Sequence, residues 1–292
     1  MTAGLSAEQV ARYHENGFLC PIDVLSAEEA AENRRALENL ENEFDGKLPK
    51  PVGQYLRSAS HLATDVPVRV ASDPRILDRV ESILGPDILM WGCEYFIKEA
   101  NSTQIVSWHQ DLTYWGMDGS DHELTAWVAL SPATAESGCM RFVPGSHKES
   151  LVPHEDTFAA NNLLSRGQEI AVEVDEEDAI TAALQPGQMS LHHGRLFHAS
   201  GPNTSDDRRI GLVIRYIRPD TPSTGASKDF AMMMRGIDRF GTRLHVLPPP
   251  GSFTSQHIAL HDEVLAAKAE VLSEGLESPD QMYRQDKEPA HV

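Results

Sequence analysis

Cysteine is scarce. Cys20, Cys93 and Cys139 are the three present, widely separated and in no paired spacing. So sparse and odd a set excludes a disulfide framework and a cysteine-based zinc site, and it suits a reducing compartment. Positive charge is also in short supply, with 25 Lys and Arg against 44 Asp and Glu and a net charge of −19. That balance repels phosphate backbones and anionic lipid, and no basic run overrides it, so neither nucleic acid nor a membrane is an expected partner. No apolar run approaches the about 18 residues that mark a transmembrane helix. The stretch Met1–Gln9 has neither the basic nor the apolar region of a signal peptide, and a cytoplasmic location is expected.

What remains has the composition of a folded globular chain. Hydrophobic residues make up 40% and charged residues 24%, and 292 residues suffice to bury a core without covalent staples. Ser6 with Gln9, and Ser26 with Glu29, have capping-box spacing. The first 45 residues read as helix, interrupted at Asn16-Gly17 and Pro21, with Ala30, Leu37 and Leu40 forming one stripe of the second segment. Asp73 before Pro74 opens a further helix to Leu84. Beyond Gly85-Pro86 the texture becomes short β-prone runs separated by turn signals, such as DILMWGCEYFIK, QIVSWHQD, ELTAWVALSP and RRIGLVIRYI. Strands without regular intervening helices predict a sandwich or barrel rather than a parallel α/β sheet. The acidic stretch 173–178 reads as a solvated loop, 257–274 as a closing helix, and the chain beyond Pro279 as a polar tail. With no repeat and no low-complexity linker, one domain over 1–292 is expected: a helical region 1–86, a β core 87–220 and a C-terminal extension 221–292.

Thirteen histidines invite a metal hypothesis. In an extended segment residues i and i+2 face the same side, so His109 and Asp111 can converge on one ion. His198, ahead of the strand RRIGLVIRY, is the candidate third ligand. Two His and one carboxylate make the facial triad of non-haem iron(II), which leaves positions open for cosubstrate and oxygen. Spacing alone does not select this pair, because His154-Glu155-Asp156 repeats it in a stretch that reads as loop. A zinc hydrolase with three ligands and a bound water, or a metal-free binding module, would use the same residue types.

Several motifs occur together and in order. EQVARYHENGFLCPIDVLSAEEA, WHQDLTYW, GCMRFVPGSHK and HASGPNTSDDRR resemble, over roughly residues 8–220, the phytanoyl-CoA dioxygenase family of iron(II)/2-oxoglutarate oxygenases. The resemblance implies a mainly β fold with flanking helices, the double-stranded β-helix or cupin-like jelly-roll barrel. It implies His109, Asp111 and His198 as iron ligands, and Arg209 as the partner of the distal carboxylate of 2-oxoglutarate, assisted by Ser200. Trp127 matches a residue lining the cosubstrate pocket, and Arg57, more weakly, a basic cosubstrate contact. Iron(II), with 2-oxoglutarate and O2 as cosubstrates, would then hydroxylate a C–H bond of a small molecule and release succinate and CO2. Halogenases of this family replace the carboxylate by a small residue; Asp111 stands at that position and implies hydroxylation.

The residues themselves agree on most of this. A buried dicarboxylate needs a fixed cation, and an Arg fork matches a carboxylate bidentately. Arg209, Gly211 and Val213 share one strand face and Arg208, Ile210 and Leu212 the other; both faces carry apolar residues, so alternation leaves the two arginines open and the family spacing selects Arg209. For the substrate side, Tyr114 and Trp115 follow the ligand motif. Glu94, on the face of Phe96 and Lys98, would suit an amine if it pointed inward, but an outward rim position is the blander reading. His192-His193 could support the site near the barrel mouth, but read more ordinarily as strand-end histidines facing solvent, His147 as a turn residue, and Met232-Met233-Met234 as core or lid packing.

Overall fold

The computed structural model describes residues 4–117, 121–164, 166–223 and 228–273. Both capping boxes form: Gln9 N donates to Ser6 Oγ and Ser6 N to Gln9 Oε1, at 3.2 and 2.9 Å, opening α1 (Ala7–Asn16). The same exchange between Ser26 and Glu29 opens α2 (Ala27–Phe44). Between them lies β1 (Phe18–Asp23), where helix was expected on either side of the interruption. Gly17, at φ 81°, ends α1 in the left-handed region, and Phe18, Leu19 and Ile22 are buried by sheet pairing. Three short helices that the sequence reading missed follow: α3 (Val52–Leu56), α4 (Ser60–Ala63) and α5 (Val66–Ala71). Then comes α6 (Pro74–Leu84), whose Asp73 cap accepts from Arg75 N.

The strands follow in chain order: β2 (Ile88–Lys98), β3 (Val106–His109), β4 (Glu123–Ala129), β5 (Met140–Phe142), β6 (His154–Asp156), β7 (Gln168–Ile170), β8 (Ile180–Ala182), β9 (Gln188–His192), β10 (His198–Ser200), β11 (Arg209–Ile217), β12 (Phe230–Arg235) and β13 (Leu244–His245). The helix α7 (Ser255–Leu272) closes the described chain, close to the expected 257–274. One sheet has the order β1-β9-β4-β11-β2-β12-β13 and a second β3-β10-β5-β8, the two facing sheets of a double-stranded β-helix. The pair β6-β7 forms a small sheet of its own, with β7 packed beside β3, so His154–Asp156 is strand and not loop.

Alternation on β11 assigns the two faces. Ile210, Leu212, Ile214 and Tyr216 are fully buried against the N-terminal helices, in one core with Leu37, Leu56, Ile76 and Val80. Each such side chain contributes ~1.5–3 kcal/mol of burial. Arg209, Gly211, Val213 and Arg215 point the other way, into the barrel. Phe18, Trp127, Met140, Phe142 and Val213 fill much of the space between the sheets, and what they leave open is the site. Met232 packs in the helix-side core and Met233 against Trp91 and Trp115, as packing residues should. The stretch 173–178 is an almost fully exposed loop. No helix among the described residues is long and apolar enough to cross a membrane.

Candidate active site

β3 and β10 run antiparallel with His109 directly opposite His198, which brings the two imidazoles to a centroid separation of 4.0 Å. Gln110 stays extended at φ −117° and ψ 125°, so Asp111 returns to the His109 side before the chain turns into a short 3-10 segment. The Asp111 Oδ1 atom then lies 3.3 Å from His109 Nε2 and 3.9 Å from His198 Nε2. The three ligand atoms all fall within 4.8 Å of one another, the single such group among the described residues.

The remaining ring nitrogens set the tautomers. Nδ1–H of His109 donates to Ser107 O and Nδ1–H of His198 to Leu196 O, both at 2.9 Å, because a carbonyl can only accept. Both Nε2 lone pairs therefore point at the shared space, the arrangement that outer partners impose on metal-binding imidazoles. Burial depresses the His198 pKa further, with His109 adding to it. Burial opposes charge on Asp111, but Arg215, and the facing His109 and His198 whenever either ring takes up a proton, hold its carboxyl well below the usual range. Two neutral imidazoles and one carboxylate fit a divalent ion of iron(II) type, with open positions.

Deeper in the same pocket lies Arg209, 1% exposed. Its Nη1 donates to Gly138 O at 2.7 Å, while buried Nε and Nη2 have no partner. The guanidinium sits 5.3 Å from the Trp127 ring and 5.6 Å from Phe96, so it is walled by π-faces and not by carboxylates. Burial pushes its pKa down to about 10. A side chain at Gly211 would strike the Trp127 ring, which makes the glycine a condition of that wall. Two orphaned donors on one edge of a buried guanidinium are a fork awaiting a carboxylate.

Lys98 is a residue the sequence reading quoted only as a landmark. Fully buried, it donates to Ser200 Oγ at 2.7 Å and to the carbonyls of Ser200 and Gly201. Burial first, and Arg209 second, push its pKa down to about 6. Because Ser200 Oγ accepts from Lys98, its own hydroxyl hydrogen remains to be donated into the pocket. Arg57, by contrast, does not reach this pocket: it lies on the surface, 2.8 Å from Glu99, and Lys98 is the second cation beside Arg209. Arg208 likewise points outward, to Glu41 and Glu99.

Toward the mouth, Glu94 turns inward with Phe96 and Lys98 and not out to the rim. Its carboxylate is 2.7 Å from Arg215 Nη1 and is therefore not free for an amine. Arg215 lies 5.1 Å from the Trp115 ring, and Trp115 lies 5.4 Å from Trp91. Tyr114 ends the 3-10 segment, with its side chain outside the described part. His192 and His193 are buried, not solvent-facing: His192 lines the pocket 5.0 Å from His198, and His193 bonds Asp121 at 3.0 Å. Burial lowers both to about 4. Buried Glu123, which no motif signalled, accepts from Gly194 N at 2.8 Å and is raised by burial to about 8. His154 backs the ligand segment, its Nε2 accepting from Gln110 N at 3.1 Å, while Asp156 pairs with Arg166; their side chains do not share an ion.

A jelly-roll with a buried His-Asp-His cluster and an unpaired arginine behind it defines the class of iron(II)/2-oxo-acid oxygenases. The family model described as phytanoyl-CoA dioxygenase matches residues 13–211, and the chain belongs to that family. It is 28% identical over 262 residues to a probable alpha-ketoglutarate-dependent hypophosphite dioxygenase of Stutzerimonas stutzeri, covering 83% of this chain and 90% of that one. The non-heme monooxygenase ThoJ, solved without ligand, is 32% identical with a TM-score of 0.82, over 91% of this chain and 98% of that one. CytC3, solved with Fe(II) and alpha-ketoglutarate, shares the fold at 22% identity and a TM-score of 0.65, over 87% and 98%. The protein is an iron/2-oxoglutarate-dependent oxygenase.

Proposed function

We propose that this enzyme hydroxylates a C–H bond of a small molecule, with His109, Asp111 and His198 holding iron(II) and Arg209 holding the distal carboxylate of 2-oxoglutarate. The observation that carries the reading is the unpaired Nε and Nη2 edge of Arg209 in the pocket that the three ligands line. A hydrolytic metal centre does not require a buried cation there. Iron(II) and 2-oxoglutarate supply oxygen activation, coupled to release of succinate and carbon dioxide. Arg209 and the Ser200 hydroxyl orient the keto acid. Trp127 and Phe96 exclude water from the ion pair, which strengthens it. Asp111 supplies the one anionic ligand and occupies the position that a halide would need, which supports hydroxylation. No side chain has to act as a general acid or base. We place the enzyme in the cytoplasm, as one domain of all 292 residues.

The test is 2-oxoglutarate consumption against succinate release with iron(II) or zinc(II). Iron-dependent succinate formation is expected, with none in zinc protein. Hydrolysis of a test substrate by the zinc protein at comparable rates would overturn the reading.

A further inference from the structure

Arg215, which lines the pocket, belongs to a second cationic group built by elements far apart in sequence. Trp91 begins this group: its Nε1 donates to Asp229 at 2.7 Å, and its ring lies 4.0 Å from Lys268 Nζ of α7. Arg215 of β11 lies over Trp115, which packs on Trp91. A side-chain carbon at Gly92 would lie 3.4 Å from Lys268 Nζ and 3.7 Å from Arg215 Nη1, so the two cations flank one bare stretch of backbone.

Their carboxylates do not balance them. Glu94 pairs with Arg215, and Asp229 is taken by Arg243 at 2.8 Å. Lys268 Nζ has only the Trp91 carbonyl at 3.4 Å and the Trp91 ring, with no carboxylate of the described residues within 4.0 Å. Arg215 Nε is buried and unpartnered although Arg215 lines the pocket. In a chain of net charge −19, a cation left over beside an arginine with a free donor has a specific requirement to meet.

We infer that the substrate carries an oxyanionic group, carboxylate or phosphonate, held between Arg215 and Lys268, with its apolar part over Trp91 and Trp115. This deepens the oxygenase reading and rests on it for the role of the pocket. Glu94 competes for Arg215 and so tunes the site; it does not bind an amine. The cations recognise charge while the indoles recognise shape, and Arg209 at the far end stays reserved for the keto acid.

The test uses full-length protein with zinc(II) and N-oxalylglycine filling the inner end, and follows tryptophan fluorescence. Phenylphosphonate and phenylacetate are the oxyanion probes and benzylammonium the opposing one. At least one oxyanion should bind. Lys268→Met should weaken it about tenfold or more, while Glu94→Gln, which frees Arg215, should tighten it several-fold. Tighter binding of benzylammonium, or weaker oxyanion binding in Glu94→Gln, would overturn the inference, as would an unchanged affinity in Lys268→Met. Each variant is also titrated, as iron(II) protein without oxygen, with 2-oxoglutarate. An intact response there with no oxyanion binding refutes this inference alone, whereas no response in the wild type refutes the oxygenase reading.

Discussion

The two ends of the pocket are built on opposite electrostatic plans. At the inner end Arg209 and Lys98 are buried with no carboxylate of the described residues paired to either, and their neighbours are indole, phenyl, hydroxyl and carbonyl groups. At the mouth, Arg215 is already engaged by Glu94, and the surplus charge sits on Lys268. The inner end is thus poised for one ligand of fixed charge and shape, and desolvation makes that pairing strong. The mouth is partly satisfied before anything binds, so it can discriminate without holding its ligand as firmly.

The comparison breaks most visibly if the proposed iron-ligand group of His109, Asp111 and His198 fails. Asp111→Ala removes the only anionic ligand, and iron affinity should fall by more than the about 10–100-fold that loss of an outer partner costs. Succinate formation should disappear with it. Metal analysis after dialysis checks this, and an iron-replete Asp111→Ala protein would be incompatible with the site.

A second test sharpens the inner wall. Gly211→Ala places a carbon against the Trp127 ring, which must shift, and overpacking of this kind costs ~1–3 kcal/mol. Denaturant unfolding should register that loss together with weaker 2-oxoglutarate binding. Binding by the mouth probes should be almost unchanged.

The two plans also differ in pH response. Burial pulls Lys98 down to about 6 in the free protein from an ordinary value of 10.5, against three oxygen acceptors that favour its ammonium form. A dianion bound beside it favours the charged form and raises its pKa, so 2-oxoglutarate binding takes up a proton. Affinity should therefore fall as pH rises from about 6, until the pH passes the raised value. Lys98→Met should flatten this dependence, as calorimetry in buffers of different ionisation enthalpy will show. The smallest effect is expected from His154→Ala, which deprives Gln110 N of its acceptor and removes the contacts of the ring with Val152 O and Thr113 Oγ1. Leaving the buried Gln110 N–H unpaired costs ~1–3 kcal/mol of stability, and because His154 is no ligand, iron affinity should change by under tenfold.

The same contrast explains what could be read without a structure. His109, Asp111 and His198 were legible because strand geometry fixes an i, i+2 pair and a motif supplied the third member. Arg209 was chosen over Arg208 by family spacing, and the alternation of β11 turns it inward. Lys98 carried no signal beyond its place on the face of Phe96, since only the folded register brings it to Ser200. Arg57 was misplaced because its α3 end lies over a surface carboxylate, Glu99, that no local pattern announces. At the mouth Trp115 and Glu94 could be singled out from sequence, but the pairing of Trp91 with Lys268 could not: they are 177 residues apart and meet only through packing of α7. β1 and the strand at His154 were missed because tertiary pairing, not local preference, makes them strands. His192 followed the same rule, turned inward by the alternation of a strand whose Met189 and Leu191 face the helices.

The central claim is that Arg209 is the fixed cation for 2-oxoglutarate, and its neighbour provides the control. Arg209→Gln keeps polarity while removing charge and fork, leaving a buried carboxylate unpaired at a cost of about 2–5 kcal/mol. At about 1.4 kcal/mol per decade this is roughly thirty-fold to several-thousand-fold weaker binding. Arg208, engaged by Glu41 and Glu99 on the opposite face, should tolerate the same change with well under tenfold effect. Titrating 2-oxoglutarate into oxygen-free iron(II) protein, and following the visible band of the chelated keto acid, measures all three proteins directly. The account predicts a large loss for Arg209→Gln alone, with iron affinity unchanged in both variants; a larger loss from Arg208→Gln, or equal affinity in all three, would contradict it.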